Sequence, residues 1–596
     1  MTDAEDRVAA ARKALEEAQA ALAAAEASAG SAAAGTSAGS AAADTSAGPA
    51  AADTSAGSAT APLGDDAVAA IRAGYGFDAP ALEMGALVNG EPLPDVPIRI
   101  PLAMVNRHGL VAGATGTGKT KTLQVLAEQL SAAGVPVFAA DIKGDLSGIA
   151  TAARAADDKL LARTRSIGQD WTPQASPTEH YSLGGIGDGI PVRASVQTFG
   201  PLMLSKVLGL NQTQESSLGL VFHYADKKGL ELVTLQDLRA VLNFLVGDEG
   251  KAELAELGGL SKATVGVILR ELITFADQGA DVFFGTPEID VNDFFRTAGD
   301  RGVVSLLGVR SVLGKPELFS TFLMWLLARL YETLPEVGDT DKPKLVFFFD
   351  EAHLLFKDAS KDFLAVITQV VRLIRSRGVG IFFVTQTPKD VPGDVLAQLG
   401  SRVQHQLRAH TPDDAKALKA TVSTYPISDY DLAEVLTMLG TGEAIVTVMN
   451  EKGAPSPVAW TRLRAPQGSM QPTPDADIQA AVAASPLLTK YQATSVAAGT
   501  ANEVIAQRSA EAQAELARAD AAADAAREVE AMQKQAMKDA ERRAREQLAE
   551  QRRRERAAAA EARRREREAE RLRKQTVNAG VKIARVIVGK LFGRSR

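Results

Sequence analysis

The stretch GATGTGKT, residues 113–120, decides how the rest of the chain is read. Three glycines within six positions leave the backbone bare, and a lysine and a threonine follow at once. Without Cβ atoms in the way, successive N–H groups can curl around an anion. Lys119 can then reach the outer phosphates of a nucleoside triphosphate, and Thr120 can turn its hydroxyl to Mg²⁺. The flanks agree. HGLVAG, before the loop, is an apolar strand pattern, and KTKTLQVLAEQLSAAG, after it, is helical. That helix aims the positive end of its dipole at the same anion. ATP with Mg²⁺ is therefore the expected ligand, held by Gly113, Ala114, Thr115, Gly116, Thr117, Gly118, Lys119, Thr120 and Lys121.

Outward from the loop, VPVFAAD (135–141) completes a strand–helix–strand unit, the mark of a parallel sheet covered by helices. Further strands are expected at 301–307, 344–350, 379–386 and 443–449, and their unbroken apolar runs suit central parallel strands. The run KLVFFFDEAH ends in two acids at the carboxyl edge of the sheet. Asp350 is placed to hold the water shell of Mg²⁺, and Glu351 to orient and deprotonate an attacking water. VGIFFVTQ ends in Gln386, an amide suited to sensing the terminal phosphate. VVRLIRSRG offers Arg372, Arg375 and Arg377 as phosphate-stabilising groups or, equally, as a solvated basic helix end. Asp141, Lys143 and Asp145 read either as site residues or as a structural turn.

Residues 201–285 form successive amphipathic helices, expected as a helical insertion in an α/β core spanning 63–466. Before it, residues 1–26 are a short helix or coiled coil (Val8, Leu15 and Leu22 repeat every seven residues). Residues 27–62 are four nine-residue Ala/Gly/Ser/Thr repeats without bulky anchors, a flexible tether. A linker at 467–499 leads to a charged helix or coiled coil at 500–576, about 115 Å long if continuous. A basic, apolar end at 577–596 is suited to docking on the core or on an anionic surface.

The chain has 596 residues, no cysteine and a net charge of −7. Disulfides, thiolate metal sites and cysteine nucleophiles are excluded. The six histidines show no metal-ligand spacing. An acidic N-terminus and the lack of a long apolar run predict a cytoplasmic protein without a membrane span. Residues 541–596 carry +11 and the remainder therefore −18, so the tail is expected to have its own partner.

The runs HGLVAGATGTGKT, FAADIKGDLSG, FGPLMLSKVLGLNQTQ, STFLMWLLARLYETLPEVGDTDKPKLVFFFDEAHLLF, QVVRLIRSRGVGIFFVTQTP and QLGSRVQHQLRAHTPDDAKALK resemble the HerA/FtsK group of P-loop ATPases. They are most similar to bacterial HerA-like helicase-domain proteins of the YjgR type. The resemblance implies a RecA-like core working as a hexameric ring that moves nucleic acid through its pore. It assigns Lys119 and Thr120 to the phosphate loop, Asp350 and Glu351 to the metal and catalytic acids, and Gln386 to the sensor. Arg375 aligns with an arginine inserted into the neighbouring subunit's site; Asp141 and His108 match family positions. HerA proper carries an N-terminal β-barrel. The roughly forty residues between the repeats and the phosphate-loop strand do not fit one, so nuclease recruitment is not implied. Two functions follow: an ATP-driven ring motor on DNA, or an ATP-switched assembly protein whose coiled coil is the working part.

Overall fold

Phe347 and Phe349 pack into one buried cluster and Phe348 into another, on opposite faces of a single sheet. This alternation is why KLVFFFD reads as a continuous apolar run: both faces of the strand are covered. The computed structural model describes residues 62–591 apart from 155–156, 257–259, 310–315, 339, 357–360 and 493–498. The expected N-terminal helix, and the repeats other than Pro62, lie outside the described residues.

The strands are β1 (Ala81–Asn89), β2 (Glu91–Pro101), β3 (Gly109–Ala112), β4 (Val137–Asp141), β5 (Thr178–Leu183), β6 (Ile190–Val192), β7 (Thr297–Ala298), β8 (Arg301–Gly302), β9 (Val304–Gly308), β10 (Leu345–Phe349), β11 (Val379–Thr385), β12 (Ser401–Gln404), β13 (Glu443–Thr447) and β14 (Ala459–Leu463). Twelve form one sheet in the order β2-β1-β14-β13-β12-β3-β11-β10-β4-β9-β5-β6, and β7 pairs with β8 separately. From β12 to β6 all neighbours are parallel. The β2-to-β13 side is antiparallel. The run at 443–449 was read with the parallel strands, yet β13 runs antiparallel to both neighbours. All five of its residues are buried, and an apolar run reports that burial, not strand direction.

Between β6 and β9 the chain makes the helices Val196–Val207, Gln212–Lys227, Leu235–Val246, Lys251–Glu256 and Lys262–Asp277. Their starts are sequence-encoded. Ser195, Asn211, Thr234 and Ser261 each accept a backbone N–H at the cap, and Asn211 with Gln214 and Thr234 with Asp237 form reciprocal boxes.

Residues 467–473 have a linker's composition, but they pack on the core. The buried Glu128, on the phosphate-loop helix, accepts the N–H groups of Gln467 and Gly468, each at 2.8 Å. Thr473 bonds both the hydroxyl and the carbonyl of Ser147. Helices Asp475–Ala484 and Pro486–Gln492 follow.

One helix then runs from Ala501 to Leu591, through the expected boundary at 576. It is rooted by Asn502 N–H on Asp237 (3.0 Å) and Ser509 Oγ on Glu249 (2.6 Å). Glu-to-Lys/Arg pairs four residues apart, such as Glu530–Lys534 and Glu541–Arg545, support it. Val577 and Val581 are exposed, so no docking of the basic apolar end on the core is seen among the described residues. No described helix is long and apolar enough to cross a membrane.

Candidate active site

The order β3-β11-β10 puts one strand between the phosphate loop and the acids. All three strands are parallel, so their carboxyl ends share one edge, with β3 and β10 roughly 10 Å apart. Gln386 follows the middle strand at that edge and is exposed. The Thr385 carbonyl accepts the Gly113 N–H at 3.2 Å, which ties the end of β11 to the loop.

The loop is shaped by its glycines at two points. Gly118 caps the helix Lys119–Ala132 at φ +111°, a conformation that L side chains rarely adopt. At Gly113 a Cβ would lie 2.5 Å from the Cβ of His405. The Lys119 ammonium donates to the carbonyls of Gly113 (2.5 Å) and Ala114 (3.0 Å), folded back on its own loop. Burial lowers its pKa; Glu351 and Asp350 work against that, so the lysine and the acids share one field. Lys121 sends its ammonium away, to the Met470 carbonyl at 2.8 Å, leaving its backbone as the part near the loop.

Glu351 is held by Lys143, whose Nζ is 2.8 Å from Oε1, and His353 Nδ1 lies 3.3 Å from Oε2. Its backbone is left-handed, with φ +49°, an uncommon state for a residue other than glycine. Asp350 accepts the Glu351 N–H at 2.9 Å. Burial first, then the Glu351 charge, push its carboxyl up to about 7. Such a carboxylate at the phosphate-loop edge of the sheet fits a hydrated divalent cation, since a positive charge there would return it to the ionised form. Among the described residues no group of three or more His, Asp or Glu is arranged to hold a metal by itself.

The other expected residues divide. Asp141 accepts the N–H groups of Leu146 and Ser147, a turn-bearing role, while its neighbour Lys143 belongs to the acid pair. His108 is buried and joins three elements. Its Nε2 bonds the Val371 carbonyl at 2.7 Å and its Nδ1 accepts the Ile381 N–H at 3.0 Å, the neutral form that burial enforces by lowering its pKa to about 4. Arg375 lies in the turn Arg375–Arg377 just before β11, and from the first residue of that strand to Gln386 the chain runs about 23 Å. Arg375 is therefore not brought to this chain's own loop. Arg377 bonds the Leu334 carbonyl, pairs with Glu336 at 3.6 Å and lies over the Tyr331 ring at 5.0 Å.

Two residues escaped the sequence reading. His405, fully buried beneath the loop, bonds Thr122 Oγ1 through Nε2 at 2.9 Å. Its backbone N–H meets the Ala112 carbonyl, and the next carbonyl, of Gln406, takes the Ala114 N–H. Burial, then Lys119, hold its pKa down at about 3. Arg408 reaches the Thr115 carbonyl at 3.3 Å. Both follow β12, and only the pairing of β12 with β3 brings them to the loop.

A parallel sheet with a phosphate loop on one strand, paired acids two strands away and an extra strand between them defines a RecA-like P-loop NTPase core. The chain belongs to the family described as Helicase HerA-like C-terminal, whose model matches residues 87–596. It is 24% identical over 360 residues to a probable helicase, MJECL08, of Methanocaldococcus jannaschii, covering 58% of this chain and 64% of that protein. It is 23% identical over 376 residues to the DNA double-strand break repair helicase HerA of Sulfolobus acidocaldarius, covering 62% and 67%. Among solved structures, the conjugative coupling protein TrwBdeltaN70 aligns with a TM-score of 0.46 at 16% identity, over 69% of this chain and 94% of that one. VirB4 of Thermoanaerobacter pseudethanolicus aligns at 0.42 and 13%, over 65% and 98%.

Proposed function

We propose that this chain is an ATP-hydrolysing motor acting on DNA in the cytoplasm, as a hexameric ring of its own copies. One observation carries the reading: the phosphate loop, Asp350, Glu351 and Gln386 occupy one sheet edge, with Gln386 on the strand between. The free amides of the loop and the Lys119 ammonium bind the triphosphate, once Lys119 leaves the carbonyls it now holds. Thr120 and Asp350 hold Mg²⁺, which supplies charge neutralisation at the phosphates. Glu351 accepts a proton from the attacking water, and Gln386 orients that water. Arg375, on the opposite edge, serves the site of a neighbouring copy, so turnover depends on assembly. Membership of a helicase family supports the nucleic-acid substrate.

The long exposed helix favours a second reading, an ATP-switched assembly protein without translocation. Measuring ATP turnover with and without duplex and single-stranded DNA, alongside mass with a non-hydrolysable analogue, separates the two. DNA-stimulated turnover that Lys119→Ala abolishes supports the motor. DNA-insensitive turnover with nucleotide-dependent assembly supports the switch, and a chain that ignores ATP overturns both.

A further inference from the structure

Residues 552–574 of the long helix hold eleven Lys/Arg, ten of them Arg, against five Glu. At about 100° per residue, eight of the eleven fall within an arc of roughly 120° whose edges are Arg552 and Arg564. Glu570 is the one acid on that arc. Leu572, the bulky apolar residue of the segment, faces away from it. Among the described residues, Arg552, Arg553, Arg556, Arg563, Arg564 and Arg567 on this stripe make no ion pair or side-chain hydrogen bond. Arg554 and Arg565, on the opposite face, are neutralised by Glu550 at 2.9 Å and Glu561 at 3.0 Å. On the stripe itself Lys574 pairs with Glu570 at 3.7 Å, so pairing with Glu accounts for the back of the helix and one end of this face, and leaves the six arginines unexplained. Uncompensated like charges three and four residues apart cost helix stability, so the stripe calls for an external anion.

We propose that this face of the helix is a docking surface for the phosphate backbone of nucleic acid. The stripe is about 33 Å long and straight. It lacks the apolar centre that protein interfaces require. Its cations are almost all guanidinium groups, which match phosphate oxygens in pairs. Placement also favours it. The rest of the chain outside 541–596 carries −18, a field that repels a polyanion. Arg552 is some 65 Å along the helix from the Ser509–Glu249 contact, far beyond the ~8 Å over which charge acts at physiological salt. Nucleic acid can thus be held without approaching the acidic body. The contact needs neither ATP nor the site around Lys119, so it stands apart from the motor reading while sharing its class of substrate.

The test uses the full chain carrying Lys119→Ala, with fluorescent duplex and single-stranded DNA titrated across salt concentrations. A face triple (Arg556→Gln, Arg563→Gln, Arg567→Gln) is compared with an off-face triple of equal charge (Arg554→Gln, Arg565→Gln, Arg573→Gln), helix content being checked by circular dichroism. The face triple should weaken binding at least tenfold and lower the slope of log K against log salt by about 2.7 for duplex and about 2.1 for single strands, while the off-face triple changes affinity less than threefold. Equal losses in both triples, or none in either, overturn the proposal. So does a face triple that alters only the oligomeric mass, which would give the stripe to a neighbour's acidic body, or one that alters only binding to anionic lipid vesicles. ATP turnover of the parent chain, measured separately, reports on the motor reading whatever the outcome.

Discussion

Replacing Glu351 by Asn separates strain from function. The residue sits at φ +49°, a conformation that costs a side-chain-bearing residue roughly 1–2 kcal/mol and that Asn tolerates better. Relief of half that, ~0.5–1 kcal/mol, is expected. Against it stands the lost pair with Lys143; that lysine side chain is 50% exposed, so after screening the pair contributes about 0.5–1 kcal/mol. Removing Glu351 also removes the like charge that helps push Asp350 up to about 7. The first two effects nearly cancel and the third is a small gain, so Glu351→Asn should unfold in urea within about 1 kcal/mol of the parent. Glu351→Gln, which keeps the strain, should be ~0.5 kcal/mol less stable than the Asn variant. Both should lose ATP turnover by ~10²-fold or more, as loss of a general base does. Urea melts and steady-state turnover on the same preparations read both quantities. Turnover within tenfold of the parent, or a stability loss beyond ~3 kcal/mol, would refute the reasoning, since the first removes the base and the second makes Glu351 a structural strut.

Gly113→Ala should abolish nucleotide binding, read by calorimetry with a non-hydrolysable analogue, because its Cβ would meet His405 at 2.5 Å in a backbone state of φ +154°. Glu128→Ala strands the half-buried N–H of Gln467 and the buried N–H of Gly468 and should cost ~2–4 kcal/mol in a urea melt, with earlier proteolysis around 467–473. Acid should destabilise the fold through its buried histidines. His108 and His180 are held down to about 4 and His405 to about 3, against an ordinary 6.5. Between those values the unfolded chain binds protons that the native one excludes, so the three histidines together lower stability by up to about 4 kcal/mol per pH unit as pH drops from 6.5, of which Asp350, raised to about 7 and so protonated first in the native state, offsets about 1.4. Urea midpoints that stay level from pH 7 to 5 would contradict this.

Motifs whose chemistry is local were readable in one dimension. The phosphate loop needs its glycines adjacent, so GATGTGKT announces itself. KLVFFFDEAH shows a buried strand and what stands at its end. Helix caps such as Asn211 with Gln214 are also local. Residues brought in by strand pairing were not readable: His405 and Arg408 lie almost 300 positions from the loop they touch. The direction of β13 escaped for a related reason, since an apolar run encodes burial on both faces and not orientation. The segment 467–473 looked like a linker because its anchors, Glu128 and Ser147, lie on distant elements.

From its sequence alone the chain's phosphate loop could be read, with the triphosphate chemistry that it implies, because a bare backbone followed by lysine and threonine leaves few other uses for that spacing. The order of strands was a matter for the tertiary structure. Hydrogen bonding between β3, β11 and β10 aligned the loop, the amide and the acids on one edge, set Arg375 on the other, and clamped Lys143 onto Glu351. Those placements depend on pairings between residues tens to hundreds of positions apart, and no local pattern of residue types records them.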